Sequence, residues 1–196
     1  MLQMSPIAVR TTSIVAALTG LSPAGLLRIG VTGHRDLTDP DSVRLACIRA
    51  VDELRDERRV DTVEIWSSLA EGADRIVAGL VPAHAERLVV VLPLEAADYR
   101  DDFETVTSRD GFDAFLVAAD HVEVAADDPS GSSSGKSRES AYERAGLAIV
   151  ERCDVLLALW DGGPSRGRGG TAEMVQAARD RGRTVIHIPV VRAATT

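Results

Sequence analysis

The chain has 196 residues and a formal net charge of −8, with 45% hydrophobic and 27% charged residues. This length can bury the core of one domain, and the composition is typical of a soluble globular protein. The acidic balance disfavours nonspecific binding to nucleic acid, and no apolar run approaches the ~20 residues that span a membrane. Cys47 and Cys153 lie in apolar patterns without a C-x-x-C motif, which favours buried thiols in a cytoplasmic protein.

Strands and helices alternate from the first apolar run onwards. Leu27–Thr32 is predicted to be a strand that ends at Gly33, and Asp39 with Pro40 predicts the start of the first helix. Apolar residues at helical spacing give that helix one inward face. The next predicted elements are, in chain order, strand Thr62–Ser67, helix Ala73–Leu80, strand Leu88–Leu92, short helices Tyr99–Thr107 and Phe112–Ala119, and the short edge strand His121–Val124.

The second half of the chain continues the alternation. Residues 126–137 are rich in Ser, Gly and Asp, which predicts a flexible polar loop. The elements predicted after it are helix Arg138–Arg152, strand Asp154–Trp160, helix Thr171–Arg181 and strand Thr184–Pro189. Six strands with intervening helices predict an α/β fold, a Rossmann-like doubly wound and mostly parallel sheet in three α/β/α layers.

The segment 154–178 is the most informative part of the sequence. Its apolar strand stops at Asp161 and opens into a loop with five glycines, after which Thr171 begins an amphipathic helix with Glu173 in its first turn. Such a loop directs free backbone N–H groups and a positive helix end at an anion, and glycine lets the main chain approach a ligand closely. We therefore predict a site for a phosphate-bearing small molecule.

Two further strands end in small or polar residues. The first is followed by Gly33, His34 and Arg35, and the second by the run from Ser67 to Asp74. Because ligands of open parallel sheets bind beyond the carboxyl ends of the strands, we expect these loops and the glycine-rich loop to meet at one rim.

These loops resemble the SLOG superfamily. The resemblance rests on V-T-G-H-R after the first strand, G-A-D after the second and D-G…G-G-T-A-E after a late strand, and it spans about residues 27–190. That superfamily includes the DprA/Smf proteins, the LOG phosphoribohydrolases, and nucleotide-sensing domains of bacterial defence systems and TRPM channels. The resemblance implies a single Rossmann-like nucleotide-binding domain over residues 27–196, preceded by an N-terminal extension over residues 1–26.

The resemblance also implies roles for residues at the rim. Gly33 would allow close approach beneath the ligand, and Ser68 and Gly72 would line the ribose or phosphate. The residues that would hold a phosphate are Gly169, Gly170 and Thr171. Glu173 matches the acidic residue that lies near the glycosidic bond in LOG enzymes, although it follows Thr171 one residue sooner here. The alternative is that Glu173 only complements the helix dipole.

Several other positions are candidates with open alternatives. Arg35 contacts a phosphate or pairs with Asp36, and Asp161 accepts from a ribose hydroxyl or only terminates its strand. Arg138 and Tyr142 clamp or stack on a base, or form a solvated helix start. The complete set of expected ligand-binding residues is Gly33, His34, Arg35, Ser67, Ser68, Gly72, Asp74, Arg138, Tyr142, Asp161, Gly169, Gly170 and Thr171.

Three functions are compatible with this sequence. The first is binding or sensing of a nucleotide or nucleotide-derived small molecule. The second is hydrolysis of an N-glycosidic bond, LOG-like or deoxyribosyltransferase-like, with Glu173 as the catalytic residue. The third is a degenerate Rossmann-like domain used for oligomerisation. The four histidines lack metal-ligand spacing, so we expect no metal and no cofactor. We expect no nucleic-acid or membrane partner, a homodimer by analogy with SLOG relatives, and an effector protein encoded separately.

Overall fold

The computed structural model describes residues 25–125, 138–165 and 167–193. The expectations for residues 1–24 and for the loop 126–137 lie outside these ranges. The strands are β1 (Leu26–Gly33), β2 (Thr62–Ser67), β3 (Arg87–Leu92), β4 (His121–Val124), β5 (Val155–Trp160) and β6 (Thr184–Pro189). The helices are α1 (Pro40–Arg58), α2 (Ala73–Ala78), α3 (Ala96–Arg100), α4 (Val106–Ala118), α5 (Arg138–Arg152) and α6 (Thr171–Asp180).

The strands form one sheet in the order β4-β3-β2-β1-β5-β6, and every neighbouring pair is parallel. The chain builds the sheet outward from β1 to β4 and then returns to the other side of β1 with β5. The strand order therefore reverses between β1 and β5, which is where doubly wound sheets bind ligands. This topology confirms the predicted Rossmann-like fold.

Helices cover both faces of the sheet. On one face, α1 to α4 pack their apolar side chains on alternate residues of β1, β2, β3 and β5, and Ile29, Ile65 and Leu157 are fully buried there. On the other face, α5 and α6 cover residues such as Leu156 and Val91. The result is the three-layer α/β/α arrangement that the alternation of strands and helices predicts.

The start of α1 shows how local sequence fixes an element. The Asp39 carboxylate accepts a hydrogen bond from the Ser42 N–H at 3.1 Å, and Pro40 occupies the first helical turn. Both features match the prediction. The acidic cap satisfies an otherwise unpaired N–H, and proline suits the first helical turn because it has no N–H that needs an acceptor there. No helix in the described ranges is long and apolar enough to cross a membrane.

The region between β3 and β4 differs from the prediction. The helices predicted at Tyr99–Thr107 and Phe112–Ala119 are instead α3 and α4, and the chain between Arg100 and Val106 is not helical. Thr105 caps α4 by accepting from the Ser108 N–H at 3.1 Å, and α4 runs through Gly111. Two other predicted helices end sooner than expected, α2 at Ala78 and α6 at Asp180.

Candidate ligand site

A cavity of about 350 Å³ opens at the carboxyl ends of the strands, between β1 and β5 and beneath α5 and α6. Its volume lies within the ~300–1,000 Å³ usual for small-molecule sites. The loops after β1, β2 and β5 all contribute to its lining, so the three loops converge as predicted.

The loop after β1 places His34 at the point where the strand order reverses. Its N–H donates to the Leu159 carbonyl at 3.1 Å, which fastens the loop to β5. The ring is buried, with Nε2 at 3.0 Å from Asp161 Oδ1. Asp161 Oδ1 also accepts from the Gly163 N–H at 2.9 Å. That hydrogen bond, followed by the contact with His34, lowers the pKa of Asp161, so this group is a carboxylate at neutral pH.

The loop after β2 is organised by Asp74, at the start of α2. Its Oδ2 accepts from Ser67 Oγ at 3.2 Å and from the Ser68 N–H at 3.0 Å. Burial raises the pKa of Asp74 to about 6 despite these hydrogen bonds. Asp74 and Ser68 line the cavity, whereas Ser67 is fully buried and does not line it; its Oγ holds the carboxylate and also accepts from the Leu69 N–H at 3.0 Å.

Gly72 lies in the same loop but does not line this cavity. Its φ is +72°, and a Cβ there would stand 2.1 Å from the Arg35 carbonyl oxygen and 2.5 Å from that of His34. This glycine therefore allows the loops after β1 and β2 to touch. Gly33 does line the cavity, but its missing Cβ makes room for Ala73 and the Leu159 carbonyl rather than for a ligand.

The glycine-rich loop folds back on itself before α6. Ser165 Oγ donates to the Gly167 carbonyl, which also accepts from the Gly170 N–H at 3.2 Å. Gly169 has a φ of +77° and lies against the Glu143 backbone, where a Cβ would not fit. Gly169, Gly170 and Thr171 all line the cavity, as predicted from the sequence pattern.

The first turn of α6 offers unpaired donors to the cavity. The N–H groups of Thr171 and Ala172 find no acceptor among the described residues, whereas those of Glu173 and Met174 both donate to the Gly170 carbonyl. Both Thr171 and Ala172 line the cavity. Free first-turn N–H groups and the positive end of the helix dipole together favour an anion at this position.

Glu173 does not face the cavity. Its side chain is exposed, and Oε2 accepts from the Gly169 N–H at 2.8 Å. This carboxylate therefore reaches back to cap the start of α6, in the manner of the Glu of a capping box. The geometry matches the alternative in which Glu173 stabilises the helix start.

Aromatic and apolar side chains also line the cavity. The Tyr142 ring lies 5.7 Å from the Arg35 guanidinium and 6.1 Å from the Tyr99 ring, and its hydroxyl donates to Asp102. The Trp160 indole N–H donates to the Gly163 carbonyl at 2.9 Å, which fixes the ring beside the glycine-rich loop. Such a wall can pack against a flat base or another apolar ligand group.

Arg138 contacts residues that do not line the cavity. It donates to Asp102 Oδ1 at 2.6 Å and to the Asp98 carbonyl at 2.7 Å, and so ties the start of α5 to α3 and to the segment that follows α3. It does not line the cavity, in contrast to Tyr142 one helical turn later. The prediction that Arg138 clamps a ligand therefore has no geometric support, and its contact orients Asp102 under Tyr142.

The structure thus separates the predicted site residues into two groups. The residues that line the cavity are Gly33, His34, Arg35, Ser68, Asp74, Tyr142, Gly169, Gly170 and Thr171. The residues that do not line it are Ser67, Gly72, Arg138, Asp161 and Glu173. Ser67 and Asp161 each support a lining residue through a hydrogen bond or ion pair.

Sequence reasoning missed the contributions of α5 and of the segment after β6. The face of α5 with Ala145, Gly146 and Ile149 lines the cavity, and so does Arg192. Arg192 reaches the rim because residues 191–193 pair with the loop after β1, through an antiparallel bridge to Leu37. The small residues at helical spacing on α5 were a usable signal for close approach, whereas no local pattern marks Arg192.

The comparisons with known proteins bear on the fold. No protein-family model and no curated protein matches the chain. Among solved structures, it is similar to DNA processing protein A (DprA) from Streptococcus pneumoniae, with a TM-score of 0.56 and 17% identity over 84% of this chain and 50% of that chain. A structural-genomics target, TM1055, matches with a TM-score of 0.48 and 14% identity over 81% of this chain and 72% of that chain.

The chain spans half of the length of DprA. At 17% identity this likeness shows the shared fold alone. It is the Rossmann-like fold that the alternation of strands and helices predicts.

Proposed function

We propose that the chain binds a nucleotide or nucleotide-derived small molecule in the rim cavity and acts as a sensor or carrier. The observation that carries the proposal is that the N–H groups of Thr171 and Ala172 have no acceptor among the described residues, and that both residues line a cavity at the reversal of the strand order. A phosphate at this point would accept two backbone hydrogen bonds and meet the positive end of α6.

The remaining lining suits the rest of such a ligand. Arg35 and Arg192 add positive charge to the lining of the cavity. Arg192 forms an ion pair with Asp161 at 3.9 Å, whereas Arg35 has no carboxylate within 4.0 Å in the described ranges. Tyr142 and Trp160 offer aromatic surface to a base. A cavity that combines an anion-binding helix start with aromatic side chains favours a nucleotide over inorganic phosphate or a polymer.

Binding without turnover is the better-supported form of this function. Glu173, the residue that would serve an N-glycosidic hydrolase, is exposed outside the cavity and holds the Gly169 N–H. The carboxylates that line the cavity are Asp36 and Asp74, and Asp74 is engaged by Ser67 and Ser68. DprA is named for DNA processing, but the net charge of −8 favours a small molecule here.

A ligand panel tests the proposal. Thermal denaturation is measured with nucleoside monophosphates, their parent nucleosides, dinucleotides and cyclic nucleotides, and each sample is then analysed by mass spectrometry for released base. A ligand at 100 times its dissociation constant stabilises the fold by about 2.7 kcal/mol, which gives a clear rise in Tm. We expect a rise with a phosphorylated ligand that remains intact. No rise with any member would contradict the proposal, and released base would replace binding with hydrolysis.

A further inference from the structure

The buried ring of His34, which lines the cavity, contacts the exposed residue Asp161 through Nε2. Asp161 Oδ1 lies 3.0 Å from His34 Nε2, and the Asp161 N–H donates to the same nitrogen at 3.2 Å. The N–H is a partner for Nε2 when that nitrogen carries no proton, whereas the carboxylate accepts from Nε2 when it is protonated and stabilises the positive ring. Asp161 therefore offers Nε2 a partner in both protonation states and orients the ring of His34, as a carboxylate does for a functional histidine.

The other ring nitrogen is available to a ligand. His34 is only 6% exposed, yet Nδ1 makes no hydrogen bond within the described residues and is not sealed from solvent. Since His34 lines the cavity, the small exposed part of the ring opens towards the place where a ligand would lie. Nδ1 is thus able to donate to a ligand, and it does so as part of a positive ring when both nitrogens are protonated.

Other charged side chains line the same cavity and influence whether the His34 ring binds a proton. The cations are Arg35, on the same loop, Arg168, which is paired with Glu143 from α5, and Arg192, after β6. The anions are Asp36, beside Arg35, and Asp74, on α2. Asp161 is the group in direct contact with the ring, and an incoming phosphate would add negative charge on the opposite edge.

We propose that His34 recognises the anionic group of the ligand as an imidazolium, donating from Nδ1, so that ligand binding takes up a proton from solvent. Asp161 is the positioning residue, because it holds the Nε2 proton and stabilises the positive ring. This inference rests on the proposed function, and it adds a preference for a charged phosphate ligand over the neutral nucleoside. Histidine is suited to the role because it gains and loses its proton between pH 5 and pH 8.

The test is isothermal titration calorimetry with adenosine 5′-monophosphate and, as an anion that does not titrate, inorganic sulfate. Each titration is run at pH 6 and pH 8, and in two buffers of different ionisation enthalpy to count protons. We expect the affinity of the wild-type protein for sulfate to fall about tenfold between the two pH values, as a charge-assisted hydrogen bond is lost. From the two buffers, we expect wild type to take up as much as one proton more per bound ligand than His34→Asn does.

Two variants separate a contact from a structural role. Asp161→Asn keeps an acceptor for Nε2 but removes the charge, so we expect proton uptake at neutral pH to decrease while binding at pH 6 persists. His84→Asn is the matched control, because His84 also contacts a carboxylate, Asp52 at 3.2 Å, but lies outside the cavity lining. It should leave both affinity and proton uptake unchanged.

An NMR measurement on the wild-type protein tests the inference without depending on whether a variant folds. Long-range ¹H–¹⁵N NMR of the imidazole should show a larger fraction of rings with both nitrogens protonated when sulfate is bound than in the free protein. Binding with the same affinity at pH 6 and pH 8, or without proton uptake beyond that of His34→Asn, would overturn this inference and leave the proposed function standing. The absence of binding of either probe at both pH values would overturn both.

Discussion

Thr171 allows a direct test of where a phosphate binds, because its N–H can be removed with little effect on the fold. It is the first residue of α6, and Gly170 before it has a φ of −72° and a ψ of 164°. A residue before proline favours this extended conformation, and proline is well tolerated at the first helical position. Thr171→Pro therefore removes a donor that has no acceptor among the described residues.

The expected loss is one charge-assisted hydrogen bond from backbone to phosphate. Such bonds contribute about 1.5–3 kcal/mol, so Thr171→Pro should weaken nucleotide binding by roughly 10- to 100-fold, with a Tm close to that of wild type. Thr171→Val is the matched control, since it removes the hydroxyl and keeps the N–H, and it should bind more tightly than the proline variant. The assay is calorimetric titration with the ligand found in the panel. Equal affinity of the proline variant and wild type would refute the placement of the phosphate at α6.

Three further predictions concern stability. Gly72→Ala should lose about 3 kcal/mol or more of unfolding free energy in chemical denaturation, because φ is +72° and the new Cβ would meet the Arg35 carbonyl; Gly182→Ala, at φ +67° with open space around it, should lose only about 1 kcal/mol, and equal losses would contradict the packing argument. Glu173→Ala should lose about 0.5–1.5 kcal/mol with the Gly169 cap and leave ligand affinity unchanged, whereas a loss of affinity would place Glu173 in the site. Asp74 holds its proton up to about pH 6 in the folded protein but only to about pH 4 when unfolded, so the folded state binds more protons between these values and stability falls as pH rises through them, by up to about 3 kcal/mol. In denaturant titrations from pH 4 to pH 7, Asp74→Asn should show a smaller fall than wild type, and parallel profiles would count against the raised pKa.

The positions of the strands could be predicted from sequence because they depend on patterns of neighbouring residues. β2, β4 and β6 have the predicted bounds, since each is a short run rich in apolar or β-branched residues. The helices between β3 and β4 were misplaced for a physical reason. The aromatic residues Phe103 and Phe112 are buried through tertiary contacts with Tyr99, and these contacts are independent of helical periodicity.

The candidate site likewise has a part that local sequence predicts and a part that depends on tertiary structure. Loops that follow parallel strands share one rim of the sheet, so the sequence alone places His34, Ser68 and the glycine-rich loop together there. The direction of a side chain is not fixed by that rule, and Glu173 turns back to the Gly169 N–H instead of facing the cavity. Arg192 was missed because its position depends on how the chain crosses the rim after β6.

The most direct test of the central claim is a crystal structure of the protein with the phosphorylated ligand that gives the largest rise in Tm. The account predicts a phosphate within hydrogen-bond distance of the Thr171 and Ala172 N–H groups, and a base against Tyr142 or Trp160. A ligand bound elsewhere, with the first turn of α6 unoccupied, would contradict it.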